Sequence, residues 1–164
     1  MATYNSLRYS PQNIDDRHPH FREIMNHLLP DVLVLQELSG PALATMFLDS
    51  VLNADSATYA QASFIDGPDL DIALFCKSGK FSVLPTQSYP TALRNIYHFR
   101  LIPAGLMDTL HLFGVHLKAS SGSSNEAKRA AEVAVLRNIT NQLRPGTNFL
   151  VCGDFNIYGS SEMA

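Results

Sequence analysis

Pro30-Asp31-Val32-Leu33-Val34-Leu35-Gln36-Glu37 sets four consecutive apolar residues between a proline and a carboxylate. An unbroken Val/Leu run predicts a strand buried on both faces, because a half-solvated strand would alternate. Upstream of it, Phe21, Ile24, Met25, Leu28 and Leu29 recur at three- and four-residue spacing. That spacing predicts a helix over residues 14–29 that stops at Pro30. Downstream, Leu43, Met46, Phe47 and Val51 predict a second helix over residues 41–53. The opening Met1-Ala2-Thr3-Tyr4-Asn5-Ser6-Leu7 has strand composition.

From Ala57 to Lys118 the texture changes. Segments rich in Tyr, Phe, Val and Ile are separated by turn signals at Asp66-Gly67-Pro68, Ser78-Gly79, Pro90 and Pro103-Ala104-Gly105. Four or five strands in an antiparallel meander are expected there, with Asp69 and Asp71 as turn-formers. Ala119-Ser120-Ser121-Gly122-Ser123-Ser124-Asn125 reads as a flexible loop ending in helix-capping residues. A helix to about Leu143 follows, with Ala127, Ala130, Val133, Leu136 and Ile139 as its buried stripe. Pro145-Gly146 turns the chain into a last apolar strand, Asn148 to Cys152, which leads into Gly153-Asp154-Phe155-Asn156. Helices interleaved with strands and hairpins predict an α/β or α+β fold.

With 164 residues, 46% hydrophobic and 16% charged, the chain is long enough for one domain and is not of disordered composition. A net charge of −3 gives no general attraction to polyanions, so any nucleic-acid contact must be local. Cys76 and Cys152 lie in apolar runs and read as buried small hydrophobes, not as a disulfide framework or a zinc site. No stretch reaches the roughly 20 apolar residues of a membrane span.

Three polar residues end strongly apolar strands: Glu37, His116 and Asp154. Ligands gather where strand ends meet loops, and a carboxylate there must be solvated, paired or bound to a cation. Glu37, Asp154 and the amide oxygens of Asn5 and Asn156 are hard donors, a set that suits Mg²⁺ or Mn²⁺ better than zinc. His116, Lys118 and Asn156 are suited to donate to phosphoryl oxygens. Taken singly, each has a plainer reading: a capped strand end, a core histidine, or a tight turn at Gly153-Asp154.

Taken in order, Thr3-Tyr4-Asn5, Pro30 to Glu37, Asp71 to Lys77, Val115 to Ser120 and Val151 to Asn156 resemble the endonuclease/exonuclease/phosphatase family. The likeness spans nearly the whole chain. It implies a DNase I-like four-layer α/β/β/α sandwich and hydrolysis of phosphate esters by water with Mg²⁺ or Mn²⁺. On that resemblance Glu37 matches the metal-binding glutamate, with Asn5 beside it. Asp154 and Asn156 match the pair that orients the attacking water and contacts the phosphate. His116 sits where the family places a phosphate donor, and Arg129 and Lys118 fall where further phosphate contacts are made. The substrate class stays open among nucleic acid, phospholipid headgroup and sugar phosphate. The alternative is a non-catalytic binding or scaffold module that keeps the fold.

The likeness has a departure. Family domains continue past Gly-Asp-Phe-Asn to a C-terminal Ser-Asp-His motif, and they carry apolar residues ahead of Thr-Tyr-Asn. Residues 1–164 are therefore expected to form a single incomplete domain, truncated at both ends, with the C-terminal portion of the sandwich missing. Such a chain is expected to be inactive alone and to self-associate through an exposed sheet face.

Overall fold

Strands β1 (Ala2–Tyr9) and β2 (Val32–Leu38) pair in parallel, and the helix α1 (His18–Leu28) carries the chain between them. The computed structural model describes residues 1–12, 15–56, 58–160 and 162. Ile14, Ala57 and Ala164, where expected elements begin or the chain ends, lie outside the described residues. After β2 come helix α2 (Pro41–Phe47), a π-helical turn over Leu48–Leu52, and the strands β3 (Tyr59–Gln61) and β4 (Asp71–Lys77). These close a four-stranded sheet in the order β1-β2-β4-β3. Strands β5 (Phe81–Val83), β6 (Gln87–Tyr89), β7 (Ile96–Pro103), β8 (Leu110–His116) and β9 (Asn148–Asp154) make a second sheet. Its order is β5-β7-β8-β9, with β6 also on β7, and helix α3 (Ser123–Thr140) connects β8 to the parallel β9.

Strand periodicity sorts the quoted apolar run between two cores. Leu33 and Leu35, with Ala73 and Phe75 from β4, pack under α1 and α2 against Phe21, Met25 and Phe47. Val32 and Val34, with Ile72, Leu74 and Cys76, face the second sheet and meet Tyr97, Phe99, Leu101 and Leu112. The outer face of the second sheet, through Ile96, Phe113 and Val115, is covered by Leu136 and Val133 of α3. The result is the α/β/β/α layering the resemblance implies. Gly114 lets the sheets approach: a Cβ there would lie 3.2 Å from Ile72 and 3.3 Å from Phe99. Cys76 and Cys152 are both buried and free.

Four expectations need correcting. The segment after Ala57 holds six strands, and they are divided between the two sheets. Both sheet cores need apolar strands, so local texture does not tell which sheet takes each one. Leu28 and Leu29 are 49% and 59% exposed, because Leu29 leaves α1 in a left-handed conformation. Met46 is 36% exposed, at the edge of the α2 face that buries Leu43 and Phe47. The buried stripe of α3 begins with Arg129 and Glu132 where Ala127 and Ala130 were expected, and it reaches apolar positions only from Val133 onward. Those two polar residues have buried partners, which apolar periodicity does not register.

His98, on the outer face of the second sheet, is 5% exposed and stacks on Phe113 at 4.3 Å. Its Nε2 lies 2.9 Å from His111 Nδ1. Burial, reinforced by His111 and Arg100, pulls its pKa from 6.5 down to about 4. The unfolded chain therefore binds this proton more readily. The stabilisation is complete above pH 6.5 and is lost as the pH falls through about 4. Any stability deficit of His98→Phe relative to the parent should accordingly shrink as the pH is lowered across that window. Urea unfolding at each pH reads the difference, and a pH-independent deficit would contradict it.

Candidate active site

The C-terminal ends of β1, β2, β8 and β9 meet at one edge of the sandwich. Each delivers a polar residue there by a local device. Glu37 is the extra residue of a bulge, where β4 pairing passes from Gln36 to Leu38. Its φ of 68° turns the carboxylate out of the regular pleat. β1 breaks its own register between Asn5 and Tyr9, with Leu7 and Arg8 in left-handed conformations. Gly153 precedes Asp154 at φ 137°, and a Cβ there would lie 1.9 Å from the Val115 carbonyl oxygen, so no other residue fits. The parallel register of β8 and β9 then sets His116 beside Asp154.

One amide ties the sheets together at this edge. Asn5 Nδ2 donates to Glu37 Oε1 at 2.8 Å and to Asp154 Oδ2 at 2.9 Å. The Arg8 backbone N–H donates to Glu37 Oε2 at 2.8 Å, and the Leu7 N–H fixes Asn5 Oδ1 at 2.8 Å. Asp154 Oδ1 accepts the Asn156 N–H at 3.0 Å, an Asx-type turn that holds Asn156 at φ 49°. Asn156 Nδ2 donates to the Leu117 carbonyl at 3.0 Å. His116 is buried, with Nε2 3.6 Å from Glu37 Oε1 and Nδ1 without a hydrogen-bond partner among the described residues. Burial, helped by Arg94, lowers its pKa, while Glu37, Asp154 and Asp69 act in the opposite sense.

Five of the seven residues singled out in the sequence are thus brought together: Asn5, Glu37, His116, Asp154 and Asn156. Lys118 and Arg129 take other places. Lys118 Nζ donates to the Ala119 carbonyl at 2.7 Å. Arg129 is wholly buried, and its Nη1 donates to the carbonyls of Lys118 at 2.6 Å and Ser120 at 2.9 Å. Its guanidinium also pairs with Glu162 and lies over the Tyr158 ring. Glu132 accepts the Lys118 N–H at 2.8 Å. Arg129 and Glu132 therefore shape the loop after β8 from beneath.

Sequence reasoning missed two contributors. Arg94 Nη1 lies 3.4 Å from the His116 carbonyl and 3.3 Å from that of Leu117, and its Nε is 2.9 Å from Asp69 Oδ2. Tyr158 accepts the Ser120 N–H at 3.0 Å and reaches Asn156 Oδ1 at 3.4 Å. Both belong to loops with no periodic signal. A cavity of about 370 Å³ adjoins the cluster, lined by Arg8, Ser10, Ser39, Asp69, Leu70 and Arg94.

The donors fit a hard divalent cation. Each carboxylate oxygen of Glu37 accepts a single hydrogen bond and keeps a lone pair, and the group is half-buried at the mouth of the cluster. One or two carboxylates with water in the remaining places is the habit of Mg²⁺. Among the described residues there is no group of three or more His, Cys, Asp or Glu arranged to hold a metal ion.

Fold and site together define a protein of the Endonuclease/Exonuclease/phosphatase family, and the chain belongs to it: the family's sequence profile matches residues 2–162. Among solved structures it is similar to truncated TDP2 from Caenorhabditis elegans, at TM-score 0.73 and 19% identity over 99% of this chain and 63% of that one. D. rerio TDP2 complexed with single strand DNA product matches at TM-score 0.72 and 18% identity, covering 96% of this chain and 60% of that one. The human Nocturnin catalytic domain with bound sulfate matches at TM-score 0.67 and 21% identity, covering 90% and 59%. The chain thus spans 59–63% of these structures. Comparison with curated protein sequences gave no match.

If the Asn5 amide is the tie between the sheets, Asn5→Leu leaves two carboxylates facing one another without their shared donor. A loss of about 1–3 kcal/mol is expected from the orphaned acceptors, measured by urea unfolding in the absence of divalent ions. An unchanged midpoint would show that the bridge contributes nothing.

Proposed function

We propose that the parent protein is a metal-dependent phosphoesterase that uses water as nucleophile. The observation that carries this is the bridge from Glu37 through Asn5 to Asp154, which sets two carboxylates from different sheets side by side at a loop-lined edge. Glu37 would hold Mg²⁺ or Mn²⁺, and Asn5, which turns its N–H₂ toward that carboxylate and its oxygen to the Leu7 N–H, would orient it and is not placed as a ligand. When bound, the ion supplies Lewis-acid stabilisation of charge on the phosphoryl and leaving-group oxygens.

The chain's own residues do the rest. Asp154 has each oxygen engaged by one donor and a lone pair left on each, so it can accept a proton from a water held against it and act as general base. Asn5 orients that carboxylate. Asn156 keeps a second amide N–H beyond the one given to Leu117, and it donates to the phosphoryl group. His116 would reach the same oxygens through Nε2, the ring nitrogen that faces Glu37. Lys118 borders the site as a further phosphate contact, and Arg129 acts through the loop it supports. The substrate is a phosphate ester. The single-strand DNA in one similar structure makes nucleic acid the first class to try, and phospholipid headgroups and sugar phosphates are the comparison set. No helix among the described residues is long and apolar enough to cross a membrane.

Glu37→Gln and Asp154→Asn in the full gene product should each cut hydrolysis of a generic phosphodiester by well over tenfold, with Mn²⁺ binding weakened in Glu37→Gln. Losses below about tenfold, or about 1.4 kcal/mol of barrier, would sink the assignment. A parent that binds no divalent ion would favour the binding-module alternative. Residues 1–164 alone, spanning 59–63% of the similar structures, are proposed to be inactive, and full turnover by them would refute this.

The same chain alone is proposed to self-associate along β9. Among the described residues β9 pairs only with β8, and its Phe149 and Leu150 are each 45% exposed. Sedimentation should show mass rising with concentration and falling in Leu150→Lys; a concentration-independent monomer would count against it.

A further inference from the structure

Asp71 opens β4 opposite Leu38, one residue beyond the bulged Glu37, and it is only 2% exposed. The proposed chemistry does not use it. Its Oδ1 accepts two hydrogen bonds: from the Tyr97 hydroxyl at 2.5 Å and from the Gly67 N–H at 2.9 Å. Tyr97 belongs to the other sheet, where it pairs with Gly114 at the sheet-to-sheet contact. A buried hydrogen bond thus crosses between the sheets near the end that carries the active site.

Two features show that this contact specifies a geometry. Burial pushes the Asp71 carboxyl up to about 6 against the pull of Tyr97 and Gly67, so keeping a carboxylate here costs stability that an apolar pair would not. Gly67 has no room for a side chain: a Cβ would lie 2.7 Å from Asp71 Oδ1 and 2.8 Å from the Tyr97 hydroxyl. The turn that carries Pro68, Asp69 and Leu70 is therefore seated directly on the Asp71–Tyr97 pair.

From that turn a path leads to the active site. Asp69 Oδ2 is 2.9 Å from Arg94 Nε, and the Arg94 side chain is 12% exposed. Arg94 Nη1 then reaches the main-chain carbonyls of His116 and Leu117. We propose that Asp71 and Tyr97 are positioning residues. They pin the 66–70 turn, the turn's Asp69 holds Arg94 against the end of β8, and the set fixes where His116 presents its ring. The consequence for hydrolysis rests on the function proposed above; the consequence for His116 does not.

The test follows the His116 ring by ¹⁵N NMR in the full gene product, with the resonance assigned by its loss in His116→Gln. Tyr97→Phe removes the buried donor. Asp69→Asn breaks the path at the surface and leaves the buried pair intact. Both should move the His116 ring resonances. Both should also lower kcat for bis(p-nitrophenyl) phosphate by about tenfold to a hundredfold, the scale of a small misplacement, with little change in KM.

Unmoved His116 resonances in folded Tyr97→Phe or in Asp69→Asn would overturn the proposal whatever the activity. Should Tyr97→Phe fail to fold, Asp69→Asn decides alone. A parent that hydrolyses no ester with any divalent ion, yet whose His116 responds to both substitutions, would uphold the lock and refute the phosphoesterase reading.

Discussion

Two like charges from separate sheets cannot be left side by side at a half-buried edge without a donor between them, and the Asn5 amide is that donor. Its reach of under 3 Å to each carboxylate sets how closely the ends of β2 and β9 must approach. The other devices at this edge serve the same approach. The bulge turns Glu37, the glycine before Asp154 clears the Val115 carbonyl, and Gly114 allows the two sheets to close. A side chain at Gly153 would collide with the Val115 main chain beside Asp154.

Polar groups flank that bridge on two sides, Arg129 and Glu132 buried and Asp69 exposed. Arg129 and Glu132 project from α3 and fasten the loop after β8 through its main chain. Arg94, held by Asp69, fastens the end of β8 from the other side. Buried ionic groups of this kind are weak contributors to stability, since their desolvation offsets most of their attraction. Their effect here is directional: Arg129, Glu132 and Arg94 bond main-chain groups at the end of β8 and in the loop after it, and none of the three bonds the side chain of Glu37 or Asp154. This division explains why Arg129, a phosphate contact on the family resemblance, lies beneath the loop and away from its surface.

Much of the fold was legible because burial leaves a period in the sequence. Val32 to Leu35 reads as a doubly buried strand, and the structure gives its alternate residues to two different cores. The helices were found by spacing, since apolar contacts repeat every third or fourth residue. What spacing missed was polar burial. Spacing puts the start of the α3 stripe on Ala127 and Ala130, since an arginine and a glutamate count as solvent-facing in any apolar pattern, while its later positions Val133, Leu136 and Ile139 agree with the structure. Between Ala57 and Lys118 the sequence predicts four or five strands in one meander where the structure has six in two sheets, because nothing local says which sheet a strand joins.

The same boundary runs through the site. The candidate residues were legible in the sequence as an ordered set: taken singly each has a plainer reading, and it is their order along the chain that resembles a family. Glu37 and Asp154 stand 117 positions apart, the difference between their residue numbers, and no local rule brings them together. Their meeting on one amide was decided by tertiary structure, through two sheets packed face to face with parallel strand pairs ending at a common edge. So was the place of Arg94, whose loop carries no pattern and whose contacts with the carbonyls of His116 and Leu117 exist only in the folded chain. Hydrogen bonds between distant segments depend on three-dimensional register, and register across a sandwich is a property of the packed layers.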